Sequence, residues 1–135
     1  MKVRLSNEGS LKAFVATNEK GHTVNLSGDG SATGPMESVL MAIAGCSTID
    51  IVMILEKMRQ PLEHIDVEVE AERREEIPRT FTNIKLHYIL TGDLKVAKVE
   101  QAINSSLEKY CSVSKMIEKS ATISSSYEIQ TQKEG

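Results

Sequence analysis

Two cysteines, Cys46 and Cys111, are the residues of this chain best suited to chemistry. A thiolate attacks a peroxide O–O bond and becomes a sulfenic acid, and a second cysteine condenses with it to a disulfide. An external dithiol then reopens that disulfide. The chemistry requires that the two thiols meet, which their spacing in the sequence does not establish. It also requires a lowered pKa on the attacking thiol. Cys46 falls about ten residues into a predicted helix, too deep for the helix-start dipole, which fades after the first turn. A nearby cation must therefore do that work. The competing reading is that both cysteines are small buried apolar residues.

The other ionisable residues are weaker candidates. Glu37 reads as a charge placed at a helix start. It also suits holding a catalytic cation or accepting a hydrogen bond from a hydroperoxide. Asp50 lies one helical turn beyond Cys46. An unpaired carboxylate there would raise the thiol pKa, so Asp50 is read as a structural hydrogen-bond partner. His22, His64 and His87 have no metal-ligand spacing with one another or with a cysteine, so neither a metal site nor a cofactor is expected. Gly28 to Gly34 (GDGSATG) has neither GxGxxG nor a Walker lysine and reads as a flexible connector. No Ser-His-Asp motif is apparent.

The element that must position Cys46 is Gly34 to Gln60, GPMESVLMAIAGCSTIDIVMILEKMRQ. Pro35 suits a first helical turn. Lys57 and Arg59 suit the end, and Pro61 stops the helix. A helix this apolar on every face is expected to be buried all round. Its apolar run is read as short of the roughly 20 residues of a membrane span, and Gly45, Ser47, Thr48 and Asp50 interrupt it. Cys111 follows a segment, Leu94 to Tyr110, in which Val96, Val99, Ile103, Leu107 and Tyr110 line one helical face. Val113 to Glu118 adds a further helical turn.

The remaining stretches read as strands. Lys2 to Ser6, Leu11 to Ala16 and His22 to Ser27 form a meander with short turns. His64 to Ala71 alternates, with Ile65, Val67, Val69 and Ala71 opposite Asp66, Glu68, Glu70 and Glu72. Arg73 to Arg79 is a charged hairpin loop, Phe81 to Leu90 the returning strand and Thr122 to Gln130 the last one. The tail, Thr131 to Gly135, is expected to fray.

This order predicts a single α+β domain over residues 1–135, with antiparallel sheets around a long central helix. At 135 residues the chain can bury a real core. Six methionines fill core positions in a chain with 4% aromatic residues. One small sheet cannot cover an all-apolar helix, so a second subunit is expected, giving a homodimer. The net charge of −3 argues against a nucleic-acid partner. No signal peptide is read at the N-terminus, and a cytoplasmic location is expected. Two cysteines there are free thiols, metal ligands or a redox pair rather than a permanent staple.

The central helix segment, the hairpin ending in PRTFTNIKLHYILTG and the stretch KYCSVSKMIEKSATI together resemble the OsmC/Ohr family of osmotically inducible and organic hydroperoxide resistance proteins. The resemblance covers nearly all of the chain after Gly34. It implies an intertwined α+β homodimer with an active site at the subunit interface. Cys46 would be the peroxidatic thiol, Cys111 the resolving one, and Glu37 the family's acidic residue. The hydroperoxide reductases of that family activate the thiolate with an arginine from the N-terminal half. Here Leu5 to Gly45 holds none, leaving Arg4 just before it.

Two functions follow as expectations. One is a peroxidase that reduces small organic hydroperoxides through a Cys46 sulfenic acid and a Cys46–Cys111 disulfide, with a dithiol as electron donor. The other is a non-catalytic dimeric module that binds a small molecule or senses redox state.

Overall fold

The computed structural model describes residues 1–131. The chain divides into two compact units, Met1–Met41 and the segment from Ala42 onward. The first unit holds a meander of β1 (Val3–Glu8), β2 (Ser10–Asn18) and β3 (Thr23–Ser27). All its pairings are antiparallel, in the order β1-β2-β3. Gly9 turns β1 into β2 with φ of 71°, a left-handed conformation that suits glycine. The loop after β3 is more structured than the connector expected from GDGSATG. Ser27 Oγ donates to Ala32 O at 3.1 Å and accepts from Ala32 N at 2.8 Å.

Helix α1 (Pro35–Lys57) starts in the first unit and runs into the second. Its start is capped by Glu37, whose Oε1 accepts a hydrogen bond from Gly34 N at 3.0 Å, half of a capping box. Arg59 ends it in the left-handed region, with φ of 57°. Gln60 N donates to Leu55 O at 2.9 Å and Arg59 N to Glu56 O at 3.0 Å. That is a Schellman closure with arginine where glycine is usual.

The second unit carries β4 (Leu62–Arg73), β5 (Phe81–Gly92), α2 (Val96–Ser105), a π-helical turn (Ser106–Tyr110), α3 (Ser112–Ile117) and β6 (Thr122–Gln130). The sheet order is β4-β5-β6. Strand β4 shows the expected alternation, with Ile65, Val67, Val69 and Ala71 half-buried and the four acids that alternate with them exposed. The central strand β5 buries Ile84, Leu86, Tyr88 and Leu90 on one face. These residues form the core with Ile43, Ile51 and Leu55 of α1 and Val99 and Ala102 of α2.

Three sequence expectations are corrected. The sheets are not purely antiparallel, because β6 pairs parallel with β5. The helical crossover between β5 and β6 is long enough to permit this. The helix read as Leu94 to Tyr110 ends at Ser105 and continues as the π turn. In the single chain one stripe of α1, Ile43, Ser47, Ile51 and Leu55, is buried, while Met41, Ile49 and Met53 are 59%, 62% and 52% exposed, the uncovered side for which a second subunit is expected. Helix α1 does not fall short in length. Its 23 residues are long and apolar enough to cross a membrane by length and composition, as are the core helices of many soluble proteins. The expected fraying of the tail from Thr131 falls almost entirely outside the described residues.

Candidate active site

The spacing of the apolar stripe on α1 places Ser47 against the sheet and turns its neighbour Cys46 toward the α2–α3 connection. Asp50 lies one turn further on the Cys46 side of the helix, since residues four apart stack. Cys111 arrives from the other direction, at the junction of the π turn and α3. Both cysteines are free thiols, Cys46 half-buried and Cys111 buried. The sulfur of Cys46, the sulfur of Cys111 and a carboxylate oxygen of Asp50 all lie within 4.8 Å of one another. The two cysteines singled out in the sequence are therefore brought together.

Several polar side chains fix this arrangement. Ser106 Oγ donates to Ser47 O at 3.0 Å and lies 3.4 Å from Asp50 Oδ2, bridging the start of the π turn to α1. Cys111 N donates to Ser106 O at 2.7 Å, the widened bond that closes the π turn. Ser114 N donates to Cys111 Sγ at 3.4 Å, so the thiol caps α3. Ser114 Oγ donates to Leu107 O at 3.0 Å. Behind α1, Tyr88 OH donates to Ser47 Oγ at 2.7 Å.

Burial pushes the Cys111 thiol up, the Ser114 N–H opposes this, and the adjacent Cys46 raises it further. Cys111 is thus a protonated thiol at neutral pH. Burial also pushes the Tyr88 hydroxyl up to about 12, so it stays a donor to Ser47. Among the described residues no lysine, arginine or histidine forms an ion pair with Asp50. A cleft of about 360 Å³ opens beside Asp50, lined also by Met53, Ile54, Lys57, Ser105 and Tyr110.

The other two expected site residues belong to the first unit. Glu37 is exposed and engaged in capping α1. Arg4 is exposed on β1, paired opposite Thr17 in the first unit. The sequence reading missed Ser47, Tyr88, Ser106 and Ser114. Ser47 carried a signal, as a hydroxyl inside an apolar run, and so did Tyr88, on the buried phase of β5. Ser106 and Ser114 carried none. Asp50 keeps the hydrogen-bonded role expected of it and joins the cysteines as well.

Paired free thiols held between a long helix and a helical crossover, on an α+β scaffold, define a dithiol protein. The chain belongs to the OsmC-like family: the family model described as OsmC-like protein matches residues 28–126. It is 50% identical over 119 residues to Protein YhfA of Escherichia coli strain K12, covering 86% of this chain and 89% of that one. Its fold is similar to the crystal structure of a hypothetical protein from Aquifex aeolicus VF5, with 31% identity, a TM-score of 0.89 and coverage of 98% and 97%. The fold is also that of an organic hydroperoxide resistance protein OsmC from Legionella pneumophila, at 18% identity, a TM-score of 0.71 and coverage of 93% and 94%.

Proposed function

We propose that this protein is a cysteine-dependent peroxidase that reduces small organic hydroperoxides at the Cys46–Cys111 pair. The observation that carries this reading is the approach of the two sulfurs to within 4.8 Å, the more exposed one on Cys46. The Cys46 thiolate attacks the O–O bond, the alcohol leaves, and Cys46 becomes a sulfenic acid. The protonated Cys111 waits beside it. Its sulfur displaces the sulfenic oxygen as water and forms the disulfide, which an external dithiol reduces. The apolar residues lining the adjacent cleft, Met53 and Ile54, suit the tail of an organic substrate better than hydrogen peroxide.

The working unit in this proposal is a homodimer in the cytoplasm, with no nucleic-acid or membrane partner. The exposed apolar stripe of Met41, Ile49 and Met53 supports the dimer, since such a stripe marks an interaction surface. Arg4, delivered by the partner's first strand, is the proposed activating cation, and Glu37 a residue that steadies it. One observation favours a second reading, a non-catalytic small-molecule-binding or redox-sensing module. Asp50 stands beside both thiols, and among the described residues no basic side chain forms an ion pair with it.

Turnover of cumene hydroperoxide with excess dithiothreitol separates the two readings. The peroxidase reading predicts turnover that favours cumene hydroperoxide over hydrogen peroxide and is lost in Cys46→Ser. Cys111→Ser should complete one oxidation without forming the internal disulfide. Full activity in Cys46→Ser overturns the mechanism.

A further inference from the structure

We propose that Cys46, Asp50 and Cys111 form a site for a thiophilic divalent metal ion of the zinc class, with two thiolates and one carboxylate oxygen as ligands and an exchangeable solvent molecule completing the tetrahedron. The three ligand atoms already converge to within 4.8 Å of one another. Zinc–sulfur and zinc–oxygen bonds of about 2.3 and 2.1 Å place ligand atoms roughly 3.5–3.8 Å apart around a tetrahedral ion. The site therefore needs a contraction of at most roughly 1 Å, within reach of small side-chain rotations.

The donor set selects the metal. Two soft thiolates with one carboxylate suit zinc and disfavour magnesium or calcium, which take oxygen ligands. The charge balance also favours a cation. Once both thiols are ionised the cluster holds three negative groups, and among the described residues Asp50 has no ion-pair partner. The ligands have the outer hydrogen bonds that orient metal-binding side chains. Ser106 Oγ lies 3.4 Å from Asp50 Oδ2, and Ser114 N donates to Cys111 Sγ at 3.4 Å. The cleft beside Asp50 leaves an open side for the fourth ligand. Three protein ligands and one open position is the pattern of a reactive zinc centre rather than a closed structural one.

Metal and disulfide exclude each other at this site. Binding to the two thiols and the carboxylate displaces two protons from sulfur. An organic hydroperoxide would reverse it: two thiolates lose two electrons to form the disulfide, the hydroperoxide takes those electrons with two protons to give alcohol and water, and the metal ion is freed. That release rests on the peroxidase reading, whereas the binding does not.

The test uses reduced, metal-free full-length protein without oxygen. Zinc is titrated in competition with a chromophoric chelator, and cadmium separately, with the ultraviolet thiolate-to-cadmium charge-transfer band as readout. The expected result is one ion per chain with a cadmium band of two thiolates. Cys46→Ser and Cys111→Ser should each weaken binding on the order of 100-fold and Asp50→Asn on the order of 10-fold. The cadmium band of the unmodified protein decides the matter if a serine variant fails to fold. Failure to retain zinc against the chelator, retention without a thiolate band, or undiminished binding in folded cysteine variants each overturns the site. Hydroperoxide turnover of the metal-free protein is read in parallel. Metal binding without turnover leaves the site standing and removes the peroxidase. Turnover without metal binding removes the site alone.

Discussion

The hydroxyl of Ser106 donates to the backbone carbonyl of Ser47 at 3.0 Å. The contact ties the residue after Cys46 to the first residue of the π turn that leads into Cys111. It is therefore the joint that holds the two thiols in register, and Tyr88 holds the same residue from the sheet side.

Removing that joint should separate the thiols more than it unfolds the protein. Ser106→Ala loses a buried hydrogen bond worth about 1 kcal/mol. Disulfide formation after oxidation of Cys46 should slow on the order of 10-fold, because misplacement of reacting atoms is costly. Dimedone trapping of the sulfenic acid measures this: its lifetime should lengthen in Ser106→Ala while melting shifts by only a few degrees.

The buried hydroxyl of Tyr88 makes stability depend on alkaline pH. Its folded-state pKa is raised from 10.0 to about 12. The unfolded chain thus releases the proton first, and stability present below pH 10 is lost between pH 10 and about 12. The slope from one such group is about 1.4 kcal/mol per pH unit. The Cys111 thiol, raised from 9.0, adds a loss of the same sign that begins near pH 9. Urea unfolding across this range should show the decline, and Tyr88→Phe should flatten the part above pH 10.

Gly92 closes β5 where no side chain fits. Its φ is 146°, and an added Cβ would lie 2.3 Å from Pro61 O. Gly92→Ala should destabilise by roughly 2–4 kcal/mol through backbone strain and overlap. Gly21, with φ of 87° and open space around it, serves as the control. Gly21→Ala should cost only about 1–2 kcal/mol.

The exposed stripe on α1 should be the subunit contact. Ile49 is a large apolar residue left 62% exposed on α1. Ile49→Glu should convert the dimer to monomer, as read by sedimentation. A single chain at all concentrations of the unmodified protein would remove the dimer from the account.

Much of this was legible in the sequence for reasons that can be named. The alternation in His64 to Ala71 and the glycine and asparagine turns of the first unit each reflect a local rule, and the strands appear within a few residues of where those rules put them. The apolar content of α1 marked a central helix that needs more cover than one sheet gives, but it did not say which face stays uncovered in the single chain. The parallel pairing of β6 was hidden for a related reason: strand patterning is the same in either direction. Cys46 and Cys111 were legible as reactive residue types. Their meeting depends on Ser106 and Ser114, ordinary serines in sequence, and on a π turn that the 3.6-residue periodicity of the preceding helix conceals.

The central claim is that Cys46 and Cys111 act as one redox unit toward organic hydroperoxides. Its most direct test is the intact mass and free-thiol count of the reduced protein after one equivalent of cumene hydroperoxide, with no reductant present. The expected result is the loss of two hydrogens, no free thiol, and a peptide joining Cys46 to Cys111. Both thiols intact after exposure, or Cys46 oxidised past the sulfenic acid with Cys111 still free, would contradict it.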